Sequence, residues 1–154
     1  MKQDKFLIGI LVFIGLLVVA ALALFFVRGQ SQAEIPDDTP EGVVYNYILA
    51  LQQQDYETAY SYLSARHGRP SLAAFESNFR QNSYLDLETY AVEVTDTSIL
   101  GDTALVEFVA TRVATDPFSE EWDENYTARL VLQSGNWKIE SMPYPFWGWN
   151  WYTR

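Results

Sequence analysis

The chain of 154 residues carries 10 basic and 20 acidic side chains, a formal charge of −10, and no cysteine. That length suits one domain and little else, the acidity argues against nucleic acid as a partner because phosphates repel such a surface, and the missing thiols exclude disulfides, thiolate zinc sites and a cysteine nucleophile. A hydrophobic fraction of 49%, with 9 Phe, 5 Trp and 10 Tyr, argues against disorder.

The first element is a long apolar run. Residues 6–27, FLIGILVFIGLLVVAALALFFV, contain no charged, polar or proline residue. As a helix they span roughly 33 Å, enough for a bilayer hydrocarbon core of about 30 Å. Lys2 and Lys5 precede the run and Arg28 follows it, so the positive-inside rule predicts a cytoplasmic N-terminus over residues 1–5. The competing reading is a cleaved signal peptide, because Ser31-Gln32-Ala33 before Glu34 has the small-x-small form of a cleavage site. The length of the run favours the uncleaved transmembrane helix, since an h-region is usually about 7–15 residues. The expected localisation is therefore the cell membrane, single-pass, with the C-terminal domain extracytoplasmic. Residues 28–40, RGQSQAEIPDDTP, read as a polar linker.

One domain follows over residues 41–142. Thr39 is a natural N-cap with Pro40 at the first helical position, and Val44, Tyr47, Ile48 and Leu51 recur at helical spacing. Asp55 can cap a second helix with Tyr56, Ala59, Tyr60 and Leu63 as its stripe, and Ser71 a third with Leu72, Phe75 and Phe79. The remainder alternates as strands: around Tyr90–Thr95, Ala104–Val113, Tyr126–Gln133 and Trp137–Met142, with turn signals at Gly101-Asp102 and Ser134-Gly135-Asn136. Short turns between successive strands pair them antiparallel. The predicted fold class is α+β: an N-terminal transmembrane helix, then about three helices packed on a curved antiparallel sheet of about four strands.

The segment TPEGVVYNYILALQQQDYETAYSYLS (Thr39 to Ser64) resembles the opening of nuclear transport factor two-like domains, with a proline-capped helix, a polar break, then Asp55-Tyr56 and Ala59-Tyr60. GNWKIES (Gly135 to Ser141) is similar to the glycine-turn-tryptophan strand that often closes them. The resemblance implies a cone with an apolar pocket, and it extends to membrane-anchored bacterial members with no known reaction. The superfamily also holds isomerases, cyclases and dehydratases, so the fold alone does not assign an activity.

Tyr47, Tyr60, Phe75, Phe79, Tyr90 and Trp137 are the candidate pocket residues. Isomerase-type members pair a buried carboxylate with a tyrosine, for which Tyr47, Tyr60, Tyr90 and Tyr126 and the acids Asp86, Glu88 and Glu107 are the available residues. None falls in a recognisable catalytic motif, so the tyrosines read as core and no catalytic residue is assigned. His67, the only histidine, lies in a polar loop and reads as solvated. The acidic stretch Glu120-Glu121-Trp122-Asp123-Glu124 lacks the alternation of a calcium loop, and no spacing supports zinc or iron. No metal or cofactor is expected. Asn125-Tyr126-Thr127 has the form of a glycosylation sequon, a triplet that arises by chance.

The tail, residues 143–154, places Trp147, Trp149 and Trp151 at alternate positions. An extended chain would show all three on one side. They serve either as a strap over the domain or as a partner-contact surface. Residues 29–154 hold 7 basic and 19 acidic side chains, so the acidity belongs to the domain and works against the tail lying on anionic lipid. The expected function is a non-catalytic, membrane-tethered extracytoplasmic binding or assembly module for a small apolar ligand or a protein partner, with a homodimer through the sheet or the tail open. The alternative is a cone-pocket enzyme, isomerase- or dehydratase-like, using a buried carboxylate and a tyrosine.

Overall fold

The structure is a computed structural model and describes residues 5–29, 35–81, 86–112 and 122–152. The chain divides into two compact units, Met1–Ala33 and Glu34–Arg154. The first contains helix α1, Lys5–Gly29. Its described side chains, residues 8–23, are all exposed, including Leu11, Phe13, Leu16 and Val19.

The expected membrane span over residues 6–27 is corrected here. Among the described residues, no helix is long and apolar enough to cross a membrane. The single-pass membrane localisation rested on that span and falls with it. The cleavage-site reading at Ser31–Ala33 and the topology argument from Lys2 lie outside the described residues.

The second unit opens with helix α2, Pro40–Gln52. Thr39 caps it as the sequence suggests: its Oγ1 accepts from the Gly42 amide at 3.2 Å, and Pro40 needs no partner for the amide hydrogen it lacks. Asn46, buried on α2, satisfies itself against the incoming chain through the backbone of Ile35, in both directions. Helix α3, Tyr56–Ser61, is capped by Asp55, which accepts from the Thr58 amide at 3.1 Å. The hydrogen bonds from Thr58 hold the Asp55 carboxyl below its usual pKa. Helix α4, Leu72–Gln81, starts at Ser71, whose Oγ accepts from the Ala74 amide. A short 3-10 turn, Leu87–Thr89, then leads into the sheet.

Four strands follow: β1 Tyr90–Leu100, β2 Thr103–Arg112, β3 Trp122–Gln133 and β4 Asn136–Ser141. They pair antiparallel in chain order, with a register irregularity between Val94 and Asp96 on β1. Strand β3 starts at Trp122, four residues before the sequence pattern does, so Asp123 and Glu124 of the acidic stretch pair with Thr111 and Ala110 of β2. Glu120 and Glu121 lie outside the described residues.

Alternation decides which face of the sheet is covered. Ala104, Val106, Phe108 and Ala110 of β2, Ala128 and Leu130 of β3 and Ile139 of β4 are buried. They form one core with Val43, Val44, Tyr47, Ile48 and Leu51 of α2 and Phe75 and Phe79 of α4. The edge of β4 is not left bare: the Ile139 amide donates to Tyr62 and its carbonyl accepts from the Ser64 amide, so the chain leaving α3 extends the ladder. Such cover removes an aggregation-prone edge.

Candidate functional site

The interior between sheet and helices is where the superfamily resemblance implies a pocket. Tyr47 stands at its centre on α2, fully buried, and its hydroxyl donates to the Phe146 carbonyl at 2.7 Å. Burial, and then the charge of Tyr152, push the Tyr47 phenol well above its ordinary pKa, so it keeps its proton. Phe75 of α4 packs edge-on against Tyr47 and Tyr60, and against Phe79 on its own helix. Tyr60 donates to the Pro70 carbonyl at 2.8 Å. Five of the six candidate pocket residues, Tyr47, Tyr60, Phe75, Phe79 and Tyr90, thus line the interior, while Trp137 packs on the core from β4.

The space they enclose is occupied by the chain's own tail. Phe146 is fully buried, with ring centroids 5.8 Å from Tyr90, 6.0 Å from Phe108 and 6.1 Å from Tyr126. Trp151 stacks on Phe75 at 5.1 Å and meets Phe79 edge-on at 5.9 Å. Trp147 packs against both Tyr47 and Trp151 and stacks on Tyr152. A side chain at Gly148 would collide with the Trp151 indole, so the glycine lets the tail fold back on itself. The tail runs through turns and is not an extended strand. The three tryptophans therefore part company: Trp151 is 8% exposed, Trp147 is half-buried and Trp149 is 97% exposed.

Phe146 is the interior residue that sequence reasoning left out of the pocket set. Its signal was its place directly after Pro143 and Pro145, in a proline-bearing turn that ends the strand pattern and redirects the chain.

The candidate acids do not enter this interior. Asp86, Glu88 and Glu107 are exposed, and Glu88 accepts from Gln54 on the surface. Tyr126 donates to Glu124, an exposed carboxylate on β3. Burial, then that bond, raise the Tyr126 phenol well above its ordinary pKa, so the phenol keeps its proton near neutrality. Among the described residues, no group of three His, Asp or Glu is placed to hold a metal ion. A shallow cavity of about 240 Å³ lies outside the interior, between the end of α2, α4 and the 3-10 turn, lined by Gln52, Tyr56, Phe79, Arg80 and Glu88. Gln52 spans it by donating to the Leu87 and Tyr90 carbonyls, leaving its polar lining already occupied on one side.

No family model and no curated protein matches the sequence. Among solved structures, the chain is similar to a SEC-C motif containing protein from Rhodopseudomonas palustris, with 14% identity, 71% of this chain and 80% of that one covered, and a TM-score of 0.51. It is also similar to an NTF-2 like protein of unknown function from Shewanella oneidensis, with 12% identity over 63% of this chain and 88% of that one and a TM-score of 0.46. A third neighbour is an NTF2-like protein with a cystatin-like fold from Novosphingobium aromaticivorans, with 14% identity over 79% and 82% and a TM-score of 0.42. The structural neighbours include proteins described as NTF2-like and as having a cystatin-like fold, and the likeness to the Rhodopseudomonas palustris protein is one of fold alone.

Proposed function

We propose that the domain over residues 41–142, with its tail, is a non-catalytic binding or assembly module that meets its partners with its outer surface. The observation that carries this reading is the filling of the interior by Phe146 and Trp151. A cone-pocket enzyme needs room for substrate beside a tunable carboxylate and tyrosine. Tyr47 instead spends its hydroxyl on the Phe146 carbonyl, and the strand-region acids face solvent. The acidic surface also disfavours nucleic acid among the partners.

Benzene is the probe for this reading, because an empty apolar cavity of about 150 Å³ is enough to bind it. In a titration followed by the aromatic resonances of Phe75 and Phe108, the intact chain is expected to show no saturable shift. Saturable binding in the core would mean an open pocket and would favour the enzyme.

Among the described residues, Trp149 is the most exposed large apolar side chain of the domain and the natural contact for a partner. Because it packs on almost nothing, Trp149→Ala is expected to leave stability within about 0.5 kcal/mol of the parent. A thermal melt checks this. A loss of 2 kcal/mol or more would instead place the indole in the fold and remove it as a contact.

A further inference from the structure

The seating of the tail builds a second feature on the outside of the domain. Tyr152 is pinned to the loop after α3 by its amide, which donates to the Gly68 carbonyl at 3.2 Å, and by its hydroxyl, which donates to the Ser64 carbonyl at 2.5 Å. Gly68 has φ +90°, and a Cβ there would stand 2.9 Å from the Tyr152 Cα, so glycine admits this close approach. The docked tail becomes one wall of a cleft of about 400 Å³. Trp151 and Tyr152 form that wall, Arg66 and His67 come from the loop, and Arg129 of β3 and Glu140 of β4 close the other side.

The charge of this cleft runs against that of the chain. Arg66 and Arg129 both pair with one carboxylate, Glu140. Glu140 is largely covered, with 15% of its side chain exposed, while each arginine keeps 54%. Two guanidiniums against one carboxylate leave a surplus positive charge in a protein of net charge −10. Each guanidinium has five N–H donors, and the two oxygens of Glu140 cannot take them all. Arg69 adds positive potential from behind: its charge acts on the Tyr152 hydroxyl, its guanidinium lies 4.0 Å over the Tyr60 ring, and its buried Nε makes no hydrogen bond.

We propose that this cleft binds a small organic carboxylate with a flat apolar body. The carboxylate would take the donors of Arg66 and Arg129 left over by Glu140, in the fork geometry that arginine offers oxyanions. The apolar body would lie along Trp151 and Tyr152. A space of about 400 Å³ is within the range of small-molecule sites and too small for a macromolecule. Inorganic phosphate satisfies the arginines but offers nothing to the aromatic wall. The proposal gives the binding role above a specific site and rests on it. Its test is separate from the benzene titration, so the cleft can fail while the filled interior stands.

The test uses the full chain and three probes: benzoate, its neutral isostere benzamide, and inorganic phosphate, each followed by the Trp151 indole N–H resonance. Benzoate is expected to give a saturable shift, with benzamide silent and phosphate at least tenfold weaker. Arg66→Gln is expected to weaken benzoate at least tenfold with an unchanged melting curve, and Arg129→Gln serves as the second variant should the first prove unstable. No shift with benzoate, an equal shift with benzamide or phosphate, or full benzoate affinity in both variants would each overturn the proposal.

Discussion

Phe146→Ala is expected to cost about 3–5 kcal/mol of folding free energy, read as a lower urea midpoint at unchanged slope. The ring has no exposed surface and sits where the helix layer, the sheet and the tail converge, against Tyr90, Phe108 and Tyr126. Those neighbours come from three different strands and are themselves packed, so they cannot collapse into the space. The loss should therefore include the cavity term as well as the transfer of the ring to water. The backbone carbonyl that Tyr47 uses remains in the variant, so the effect isolates the side chain. A cost below about 1 kcal/mol, the range of poorly packed surface sites, would mean that the tail is not part of the core.

Tyr47→Phe tests the same joint from the other side and adds a pH signature. The ring is kept, but the Phe146 carbonyl loses its donor inside the core, which costs about 1–3 kcal/mol near neutrality. In the folded chain burial holds the Tyr47 phenol well above its ordinary value, whereas in the unfolded chain it titrates near 10. Above pH 10 the unfolded state thus releases a proton that the native state retains. The contribution of the phenol is complete below pH 10 and drains as pH climbs towards the native value, by up to about 1.4 kcal/mol per pH unit. Tyr47→Phe should flatten this alkaline limb without abolishing it, because Tyr126 and Tyr152 also carry raised values. Parallel stability curves for parent and variant from pH 9 to 12 would contradict a buried, hydrogen-bonded phenol.

Much of the helix layer was legible because capping is local chemistry. Thr39, Asp55 and Ser71 each accept from an amide three residues on, which is what their short oxygen-bearing side chains predict at those positions. The hairpins were legible for a similar reason: Gly101 and Gly135 have positive φ, and only the turn residues around them allow it cheaply. The early start of β3 was hidden because Trp122-Asp123-Glu124-Asn125 has no apolar alternation. Those four residues are exposed, and it is the ladder with β2 that makes them a strand.

The membrane expectation shows a different limit. It rested on one length of apolar sequence, and among the described residues no helix is long and apolar enough to cross a membrane. The tail shows a third. Alternation of Trp147, Trp149 and Trp151 says nothing once the chain turns, and Tyr144–Tyr152 turns repeatedly. Two residues apart, Trp149 faces solvent and Trp151 lies on Phe75, a difference set by tertiary packing and by the bare backbone of Gly148. The rim cleft was invisible for the same reason. Arg66, Arg129 and Tyr152 are far apart in sequence and meet only because the tail returns to the α3–α4 loop.

The central claim is that the interior is filled by the chain's own tail, and a nuclear Overhauser spectrum of the full chain tests it most directly. Cross-peaks are expected from the Trp151 indole to the Phe75 ring, whose centroids are 5.1 Å apart, and from the Phe146 ring to Phe108 and Tyr126. A Trp151 indole with no cross-peak to Phe75, and with the same solvent exposure as Trp149, would contradict the account.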